Sequence, residues 1–258
     1  MAKKNYLRSQ NKFNPHSEKP YRLSRSKVDL FINCPRCFYL DRRCGLRRPG
    51  RVSYNLNNAV DLLLKREFDH YRQSVTAHPL MNQNGVEAVP YQHADLDLWR
   101  EALRGGLRHH HKKTNFLLTG APDDLWVNPN GELSVVDYKA TRVLSQASLD
   151  SGQHPGYQRQ LEFYSWLLEK MNFPVSKQTY FVVAETRLNR EALNHSLEFD
   201  LNLIRYESDW QWVEAILPEI KECLMSEDEP EAGETCDYCR YVEAGEVLKR
   251  EPKQGTLL

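Results

Sequence analysis

Val135-Val136-Asp137-Tyr138-Lys139 is the most informative segment of this 258-residue chain. Its β-branched and aromatic residues are typical of a β-strand. Because strand side chains alternate between the two faces, Asp137 and Lys139 are predicted to share one face. Val136 and Tyr138 then share the other. The strand therefore offers a carboxylate and an ammonium group side by side.

A second acidic block, Gly120-Ala121-Pro122-Asp123-Asp124, precedes this strand. The turn signal Asn128-Pro129-Asn130-Gly131 separates the two blocks, and we read them as two strands joined by a hairpin. The hairpin brings Asp123 toward Asp137 and Lys139. On its own, an acidic residue beside a proline also fits ordinary turn chemistry, and a half-exposed strand of this composition also fits a solvated surface.

The three groups together suit a metal-dependent phosphodiesterase. Mg²⁺ is a hard cation that prefers carboxylate and carbonyl oxygens, so we expect Asp123 and Asp137 to be ligands, with the carbonyl of Tyr138 as a further oxygen. The ion lowers the pKa of a bound water and neutralises charge on the phosphate. Lys139 is expected to orient that water and to stabilise negative charge in the transition state.

A third element follows in a helix predicted over residues 156–171. Gln160 and Tyr164 lie four residues apart and share a helix face. One interpretation places both at the metal site, in contact with a nucleic-acid backbone. The other makes Gln160 a surface residue and Tyr164 a core residue, since the helix has an apolar stripe made of Leu161, Tyr164, Leu167 and Leu168.

The ordered motifs Gly120-x-x-Asp123, Asp137-x-Lys139 and Gln160-x-x-x-Tyr164 resemble the PD-(D/E)XK nuclease superfamily in its RecB-like branch. That branch includes CRISPR-adaptation exonucleases and AddB-type repair nucleases. The resemblance spans about residues 24–242. It implies an α/β fold with a restriction-endonuclease-like mixed sheet flanked by helices, Mg²⁺ or Mn²⁺ as cofactor, and cleavage of DNA, often at single-stranded ends. It also implies a catalytic site formed by Asp123, Asp137, Lys139, Gln160 and Tyr164.

The chain departs from the branch ahead of the first acidic motif. Members often carry a metal-binding histidine on a helix there, and the matching helix in this sequence contains Leu56 to Leu64. Asp61 occupies the comparable position. We expect Asp61 either to be a third ligand of the hard metal ion or to be a surface residue next to Lys65.

Four of the six cysteines form two C-x-x-C pairs, Cys34 with Cys37 and Cys236 with Cys239. In a cytosolic protein such pairs indicate metal ligands more readily than disulfides. Four thiolates on one centre would join the N- and C-terminal parts of the fold. By ligand type, Zn²⁺ and an iron–sulfur cluster fit equally well.

The resemblance favours a [4Fe–4S] cluster, because many RecB-like nucleases join their ends with one. Those relatives commonly use one upstream and three downstream cysteines, whereas this chain has two and two, which keeps Zn²⁺ as the alternative. Cys44 is a candidate substitute ligand. Otherwise Cys44 and Cys223 are free structural cysteines.

Charge is distributed unevenly along a chain that holds 35 Lys and Arg and 35 Asp and Glu. Residues 1–60 contain fourteen basic and three acidic residues, which suggests contact with a polyanion. Basic and aromatic side chains together suit single-stranded nucleic acid. A solvated loop paired with the acidic remainder fits equally well. The segment in question contains Arg42, Arg43, Arg47, Arg48 and Arg51 among Phe38, Tyr39 and Tyr54.

The mean hydropathy of −0.68 indicates a soluble protein. The sequence contains no apolar run of about eighteen residues, so no membrane span is predicted. No apolar stretch follows the N-terminal charges, so we expect a cytoplasmic location. We predict a flexible basic arm over residues 1–20, one nuclease-like domain over 21–247 and a tail over 248–258. The cysteine segments 34–44 and 236–239 are predicted to meet at the metal centre and to join the two ends of that domain.

Further helices are predicted near residues 54–73, 96–108 and 210–225, and strands near 115–127, 132–141, 178–184 and 195–206. The functional prediction is a metal-dependent deoxyribonuclease, preferring single strands or ends and acting as an exonuclease in repair, recombination or CRISPR adaptation. Two alternatives stand beside it. One is a non-catalytic nucleic-acid-binding protein with a structural zinc or iron–sulfur centre. The other is a subunit that works with a helicase or a CRISPR-adaptation partner.

Overall fold

A computed structural model describes Leu7 and residues 11–49, 54–189 and 191–250, with the side chain of Arg250 excepted. The strands are β1 (Tyr21–Ser24), β2 (Val89–Pro90), β3 (Leu107–His111), β4 (Phe116–Gly120), β5 (Asp124–Val127), β6 (Leu133–Ala140), β7 (Gln178–Thr186) and β8 (Phe199–Glu207). The α-helices are α1 (Arg25–Asn33), α2 (Pro35–Tyr39), α3 (Asn55–Ser74), α4 (Pro79–Gln83), α5 (Leu96–Trp99), α6 (Gln146–Asp150), α7 (Pro155–Lys170), α8 (Gln211–Met225) and α9 (Asp237–Arg250). A π-helical turn, Leu40–Cys44, follows α2.

The larger sheet has five strands in the order β2-β5-β6-β7-β8. Its central strand, β6, pairs antiparallel with β5 and parallel with β7. A parallel pair needs a crossover connection, and α7 lies in that connection. The predicted hairpin between the two acidic blocks is confirmed for β5 and β6, whose turn contains Gly131 with a φ of +80°.

The smaller sheet has three strands in the order β1-β4-β3. β1 runs parallel to β4, whereas β3 and β4 form an antiparallel pair. The chain leaves this sheet at Gly120 and enters the larger one at Asp124. The prediction of one strand near 115–127 is therefore wrong, because Ala121-Pro122-Asp123 interrupts it and Pro122 has no N–H for a ladder.

Two apolar layers cover the larger sheet. On one face, α1, α7 and α8 bury a large cluster that includes Val135 and Phe181 from the central strands. On the other face, α3 packs against the sheet through its side chains Val60, Leu64 and Phe68. Their spacing of four residues puts these side chains on one stripe of the helix. The predicted α/β class, with mixed sheets flanked by helices, is confirmed.

The helix predicted over 96–108 is wrong beyond its first turn. α5 ends at Trp99, and β3 begins at Leu107. The chain turns tightly between them: a Cβ on Gly105 would lie 1.9 Å from the carbonyl oxygen of Leu98, and Gly106 has a φ of +89°. Two glycines are needed there because other residues would clash or be strained.

The predicted helices near 54–73, 156–171 and 210–225 are confirmed as α3, α7 and α8. α7 begins with Pro155, a residue that suits the first turn because its missing N–H has no partner there. Within the predicted arm, Phe13 is buried and packs edge-on against Tyr21. Residues 1–6, 8–10 and 251–258 lie outside the described part of the chain. Among the described helices, none combines the length and apolar character that a bilayer crossing requires.

Candidate functional site

Asp137 and Lys139 lie on β6 and face α7. Asp137 is fully buried, and its Oδ2 pairs with the ammonium of Lys139. Its Oδ1 accepts a hydrogen bond of 2.6 Å from Nε2 of Gln160 on α7. Val136 and Tyr138 belong to the apolar cluster on the opposite face of the sheet. The predicted alternation of the β6 side chains between the two faces of the sheet is therefore confirmed.

Electrostatics at this carboxylate are unusual. Burial raises the pKa of Asp137 to about 7, Lys139 opposes that rise, and the neighbouring charge of Asp123 adds to it. Burial lowers the pKa of Lys139, but the carboxylates of Asp137 and Asp123 outweigh burial and leave that pKa raised. The lysine is therefore held as a cation, while the buried carboxylate needs further positive charge to stay ionised.

Asp123 lies in the short connection between the two sheets. The β5–β6 register pairs Asp124 with Val136, so Asp123 comes next to Asp137. The N–H of Tyr138 donates to Asp123 Oδ2 at 3.0 Å. The interruption at Pro122, which ends one strand and starts another, is what frees the Asp123 side chain to face Asp137.

Asp61 and Lys65 approach from α3. Nζ of Lys65 lies 2.9 Å from Asp61 Oδ2 and 3.2 Å from Asp123 Oδ1. Burial and the charge of Asp123 raise the pKa of Asp61. From the sequence, Lys65 is predicted only as a neighbour of Asp61. The i, i+4 spacing was the available signal for their pairing, but nothing in the sequence placed Asp123 beside both.

Three carboxylates thus surround this region without forming one compact ligand set. Within the described residues, the only group of three or more potential ligands whose ligating atoms all lie within 4.8 Å of one another is the group of four cysteines. Asp61, Asp123 and Asp137 do not meet that criterion together. The pair that the strand register brings side by side is Asp123 and Asp137.

Gln160 and Tyr164 both turn toward the sheet, but they make different contacts. Gln160 holds Asp137, as described above. The Tyr164 ring is buried against Gly120, where a Cβ would lie 2.5 Å from its Cε1 atom. Two motif residues from distant parts of the sequence therefore touch, and the glycine is needed because the ring approaches the backbone so closely. Besides this packing, the Tyr164 hydroxyl makes a hydrogen bond with the side chain of Arg25.

Asp124, the neighbour of Asp123, has a different environment. It is fully buried, and its Oδ1 accepts from Nη2 of Arg72 at 2.5 Å and from Nη2 of Arg100 at 2.7 Å. The hydroxyl of Tyr138 donates to Oδ2 at 2.7 Å. This buried network ties α3, β5 and β6 together on the sheet face opposite Asp137. Sequence reasoning did not separate the roles of the two adjacent aspartates.

A recess of about 200 Å³ opens beside Lys139. Asn57 on α3 donates to the carbonyl of Ala140 at 2.9 Å and closes one side. The Lys139 ammonium lies 4.9 Å from the centre of the Tyr157 ring. The recess is lined by Asn57, Asn58, Asp61, Lys139, Thr141 and Tyr157, among others. It therefore presents amide, hydroxyl and aromatic groups next to the carboxylate pair.

The four predicted cysteines come together, although about 200 residues separate the two pairs. All four are buried, and their sulfur atoms all lie within 4.8 Å of one another. Sγ of Cys37 lies 3.7 Å from that of Cys236 and 3.6 Å from that of Cys239. Cys34 and Cys239 are 3.7 Å apart. This is a group that can bind a metal ion, and it joins α2 to the start of α9.

N–H groups surround the sulfur atoms. The backbone N–H groups of Gly233 and Cys37 donate to Cys34 Sγ at 3.3 and 3.4 Å. Burial raises the pKa of Cys34, but these donors more than offset it and bring that pKa down to about 7. A guanidinium nitrogen of Arg48 lies 3.2 Å from Cys236 Sγ. Donors of this kind stabilise thiolates, the form that binds metal.

Cys44 and Cys223 are not part of the group. Cys44 is exposed at the end of the π-helical turn, and Cys223 lies partly buried on α8. The suggestion that Cys44 replaces a ligand is wrong, because the two C-x-x-C pairs already supply four sulfur atoms. Burial raises the pKa of Cys223 to about 11, as expected of an unreactive structural thiol.

Several side chains of the basic and aromatic segment near residues 38–54 pack within the fold, where the sequence predicted contact with a polyanion. Phe38 and Tyr39 are buried, and Arg42 is buried in an ion pair of 2.8 Å with Asp41. Arg48 stands over the ring of Tyr238 and contacts the cysteines. Phe38, Tyr39 and Arg42 are therefore unavailable to a nucleic acid, whereas Arg48 is half-buried and Arg47 is exposed. Arg51 lies outside the described residues.

Residues 22–244 match the model of the PD-(D/E)XK nuclease superfamily in a comparison with protein families. The chain belongs to this superfamily, whose members are generally nucleases that use divalent metal ions. Membership suggests a nuclease and implies a nucleic acid as its substrate. A comparison with curated proteins found no match.

Proposed function

We propose that this chain is a Mg²⁺- or Mn²⁺-dependent deoxyribonuclease of the RecB-like branch. The observation that carries the proposal is the carboxylate of Asp137. It is fully buried, it lies next to a second carboxylate, Asp123, and it is paired with Lys139 on the same strand face. This proximity supports the proposal that Asp123, Asp137 and Lys139 form the acid–acid–lysine motif of the superfamily.

The donor set fits a hard divalent ion. Carboxylate oxygens are the ligands that Mg²⁺ and Mn²⁺ prefer. Two adjacent carboxylates in a poorly hydrated setting repel each other, and a cation between them relieves both the repulsion and the cost of burial. Each of Asp123 and Asp137 keeps a lone pair for an ion, because each oxygen accepts from one donor and has two lone pairs.

An ion held by Asp123 and Asp137 would acidify a bound water and withdraw charge from the phosphate. The protein groups hold these ligands in place. Gln160 fixes one oxygen of Asp137, and the N–H of Tyr138 fixes one oxygen of Asp123. Lys139 offers N–H donors to the attacking water and to a phosphate oxygen, where negative charge develops. We assign Lys139 and the two aspartates to catalysis, and Gln160 to positioning.

Tyr164 has a different proposed role from the one that the sequence favoured. Its ring supports Gly120 just before the first acidic motif, and it is 5% exposed. We propose that Tyr164 positions the Gly120–Asp123 connection rather than contacting the substrate backbone. Asp61 lies at the edge of this site and shares the ammonium of Lys65 with Asp123.

We propose single-stranded DNA or DNA ends as the substrate. The recess of about 200 Å³ beside Lys139 is large enough for part of one nucleotide. Tyr157 and the side-chain amides of Asn57 and Asn58 line it, and such groups stack with and hydrogen-bond to unpaired bases. Exonuclease action in repair, recombination or CRISPR adaptation, alone or with a helicase or adaptation partner, completes the proposal by analogy with the RecB-like branch.

For the cysteine centre we propose one Zn²⁺ ion in place of the [4Fe–4S] cluster that the resemblance favours. Zn–S bonds of about 2.3 Å in a tetrahedron put the ligating sulfurs about 3.8 Å apart. The sulfurs here lie 3.6–3.7 Å apart in three of the pairs, and all four lie within 4.8 Å of one another. In a [4Fe–4S] cluster each thiolate binds a different iron, so the four sulfurs surround eight cluster atoms and lie farther apart.

Metal analysis of anaerobically purified protein tests this assignment. We expect a colourless protein with one zinc per chain. A brown protein with stoichiometric iron and sulfide would instead establish the cluster. The nuclease proposal is independent of this result, because the cysteines lie outside the carboxylate site.

A cleavage assay with Mn²⁺ and labelled single-stranded and double-stranded DNA tests the nuclease proposal. We expect wild-type cleavage that EDTA abolishes, and its loss in Asp137→Asn. The matched control is Asp97→Asn, which changes an exposed aspartate of α5 in the same way. Equal cleavage by wild type and Asp137→Asn would remove the proposal.

A further inference from the structure

Lys65 holds a position between two carboxylates of the proposed active site. Its Nζ lies 2.9 Å from Asp61 Oδ2 and 3.2 Å from Asp123 Oδ1. The Lys65 side chain is only 20% exposed, so the ammonium is held by the protein and is not a loose surface charge. The i, i+4 spacing on α3 aims Asp61 and Lys65 at the same point.

The Lys65 ammonium lies where a second divalent ion would bind. A Mg²⁺ ion shared by Asp61 and Asp123 has to lie about 2.0–2.1 Å from an oxygen of each. Nζ of Lys65 is in hydrogen-bond contact with those two oxygens. The other Asp123 oxygen already accepts from the N–H of Tyr138. An ion and the ammonium cannot both occupy this space, and their charges repel.

The charges of the site lead to the same conclusion. Three carboxylates, those of Asp61, Asp123 and Asp137, face the two ammonium groups of Lys65 and Lys139. The formal charge of this set is −1. One divalent ion makes it +1, and a second would make it +3. Two-ion nucleases use their second ion to neutralise charge around the scissile phosphate, and here an ammonium is already present.

We propose that the site binds a single divalent ion, at Asp123 and Asp137, and that Lys65 takes the place of a second ion. On this view Asp61 is not a metal ligand; it positions Lys65. This inference rests on the proposed function. It specifies how many ions the site holds and which side chain replaces the missing one.

Counting bound Mn²⁺ tests the inference without measuring cleavage. Isothermal titration and electron paramagnetic resonance are carried out on full-length protein with its cysteine centre occupied. We expect one Mn²⁺ per chain in the wild type and in Lys65→Arg, which keeps the positive charge. In Lys65→Met, which removes the charge and nearly keeps the length, we expect two.

A second variant covers the case in which Lys65→Met does not fold. In Asp61→Asn we expect one Mn²⁺ with an affinity reduced by less than about fivefold, since only one partly exposed charge is lost. Loss of a true ligand costs more than the tenfold to hundredfold seen for outer-shell partners, roughly hundredfold or above.

Each failure has its own meaning. Two ions in the wild type, one ion in folded Lys65→Met, or a hundredfold loss in Asp61→Asn would overturn the inference and leave the nuclease proposal in place. The proposed function itself fails if the wild type binds no Mn²⁺. It also fails if Asp137→Asn still binds the Mn²⁺ that the wild type binds.

Discussion

The carboxylate of Asp137 is fully buried, and protein side chains balance its charge only in part. Lys139 pairs with one oxygen, and Gln160 donates to the other. Such a buried group is costly unless it is paired, and its two donors come from different elements, β6 and α7. The chain maintains this arrangement at a place where a hydrophobic residue would pack at lower cost, which is typical of a functional site.

Lys139→Ala should lower the cleavage rate by about 10²–10³-fold, the usual effect of removing one donor to a developing negative charge. Single-turnover cleavage at saturating DNA measures this rate directly. Lys113→Ala, which removes an exposed lysine from the turn after β3, is the control and should cleave like the wild type. Wild-type turnover by Lys139→Ala would show that its ammonium has no catalytic part.

We expect substitution of Asp123 to affect cleavage and substitution of the adjacent Asp124 to affect stability. Asp124→Asn breaks a buried network with Arg72, Arg100 and Tyr138, so we expect a loss of about 3–5 kcal/mol in the free energy of unfolding. The Asp123 side chain is 21% exposed and receives weaker contacts, so Asp123→Asn should cost about 1 kcal/mol or less while abolishing cleavage. Urea denaturation and the cleavage assay on both variants measure the two effects. The reverse pattern would mean that the roles of the two residues are exchanged.

At the level of elements, the site depends on how β4, β5 and α7 meet. β4 ends at Gly120, the Tyr164 ring of α7 covers that glycine, and β5 starts in the other sheet four residues later. The connection between the sheets carries Asp123. The close approach of α7 to Gly120 therefore fixes the first acidic motif relative to the second.

Gly120→Ala should disturb this contact, since its Cβ would lie 2.5 Å from the Tyr164 ring. We expect a loss of about 1–3 kcal/mol, as for other overpacked sites, and reduced cleavage. Thermal unfolding of Gly120→Ala, Tyr164→Ala and the double variant measures the coupling. The double variant should be more stable than the sum of the single losses implies, because the ring that clashes is absent. Simple additivity would exclude the proposed contact.

Sequence patterns predicted some elements well and others poorly, for physical reasons. The long helices α3, α7 and α8 and the strand β6 have strong apolar periodicity or alternation, and their prediction was sound. The passage from one sheet to another at Pro122 has no periodic signal, so residues 115–127 were read as one strand. The helix predicted over 96–108 ended early because a double glycine makes a tight turn.

Across the whole molecule, the two cysteine pairs were predictable because C-x-x-C spacing is itself a ligand signature. The spacing between their sulfurs was not predictable, since it depends on how α2 and α9 pack. The same holds at the carboxylate site. The motif order indicated Asp123, Asp137 and Lys139, whereas the contacts of Lys65 and the burial of Asp124 arise only from tertiary packing.

The cysteine centre should stabilise the fold as a whole, because it joins segments about 200 residues apart. Cys239→Ser should lower the free energy of unfolding by about 2–5 kcal/mol, comparable to removal of a crosslink that closes a long loop. Urea denaturation with metal analysis measures both the loss of stability and the loss of bound metal. Cys44→Ser, at an exposed position outside the group, is the control and should keep both. Full stability of metal-free Cys239→Ser would exclude a stapling role.

The position of the bound ion shows whether Asp123 and Asp137 hold the metal together. Crystals soaked in Mn²⁺ and measured at the manganese absorption edge give an anomalous peak wherever the ion lies. We expect a peak about 2 Å from a carboxylate oxygen of both Asp123 and Asp137, with the Lys139 ammonium beside it. Ordered Mn²⁺ elsewhere, with none between these two carboxylates, would show that Asp123 and Asp137 are not the ligands of the catalytic ion.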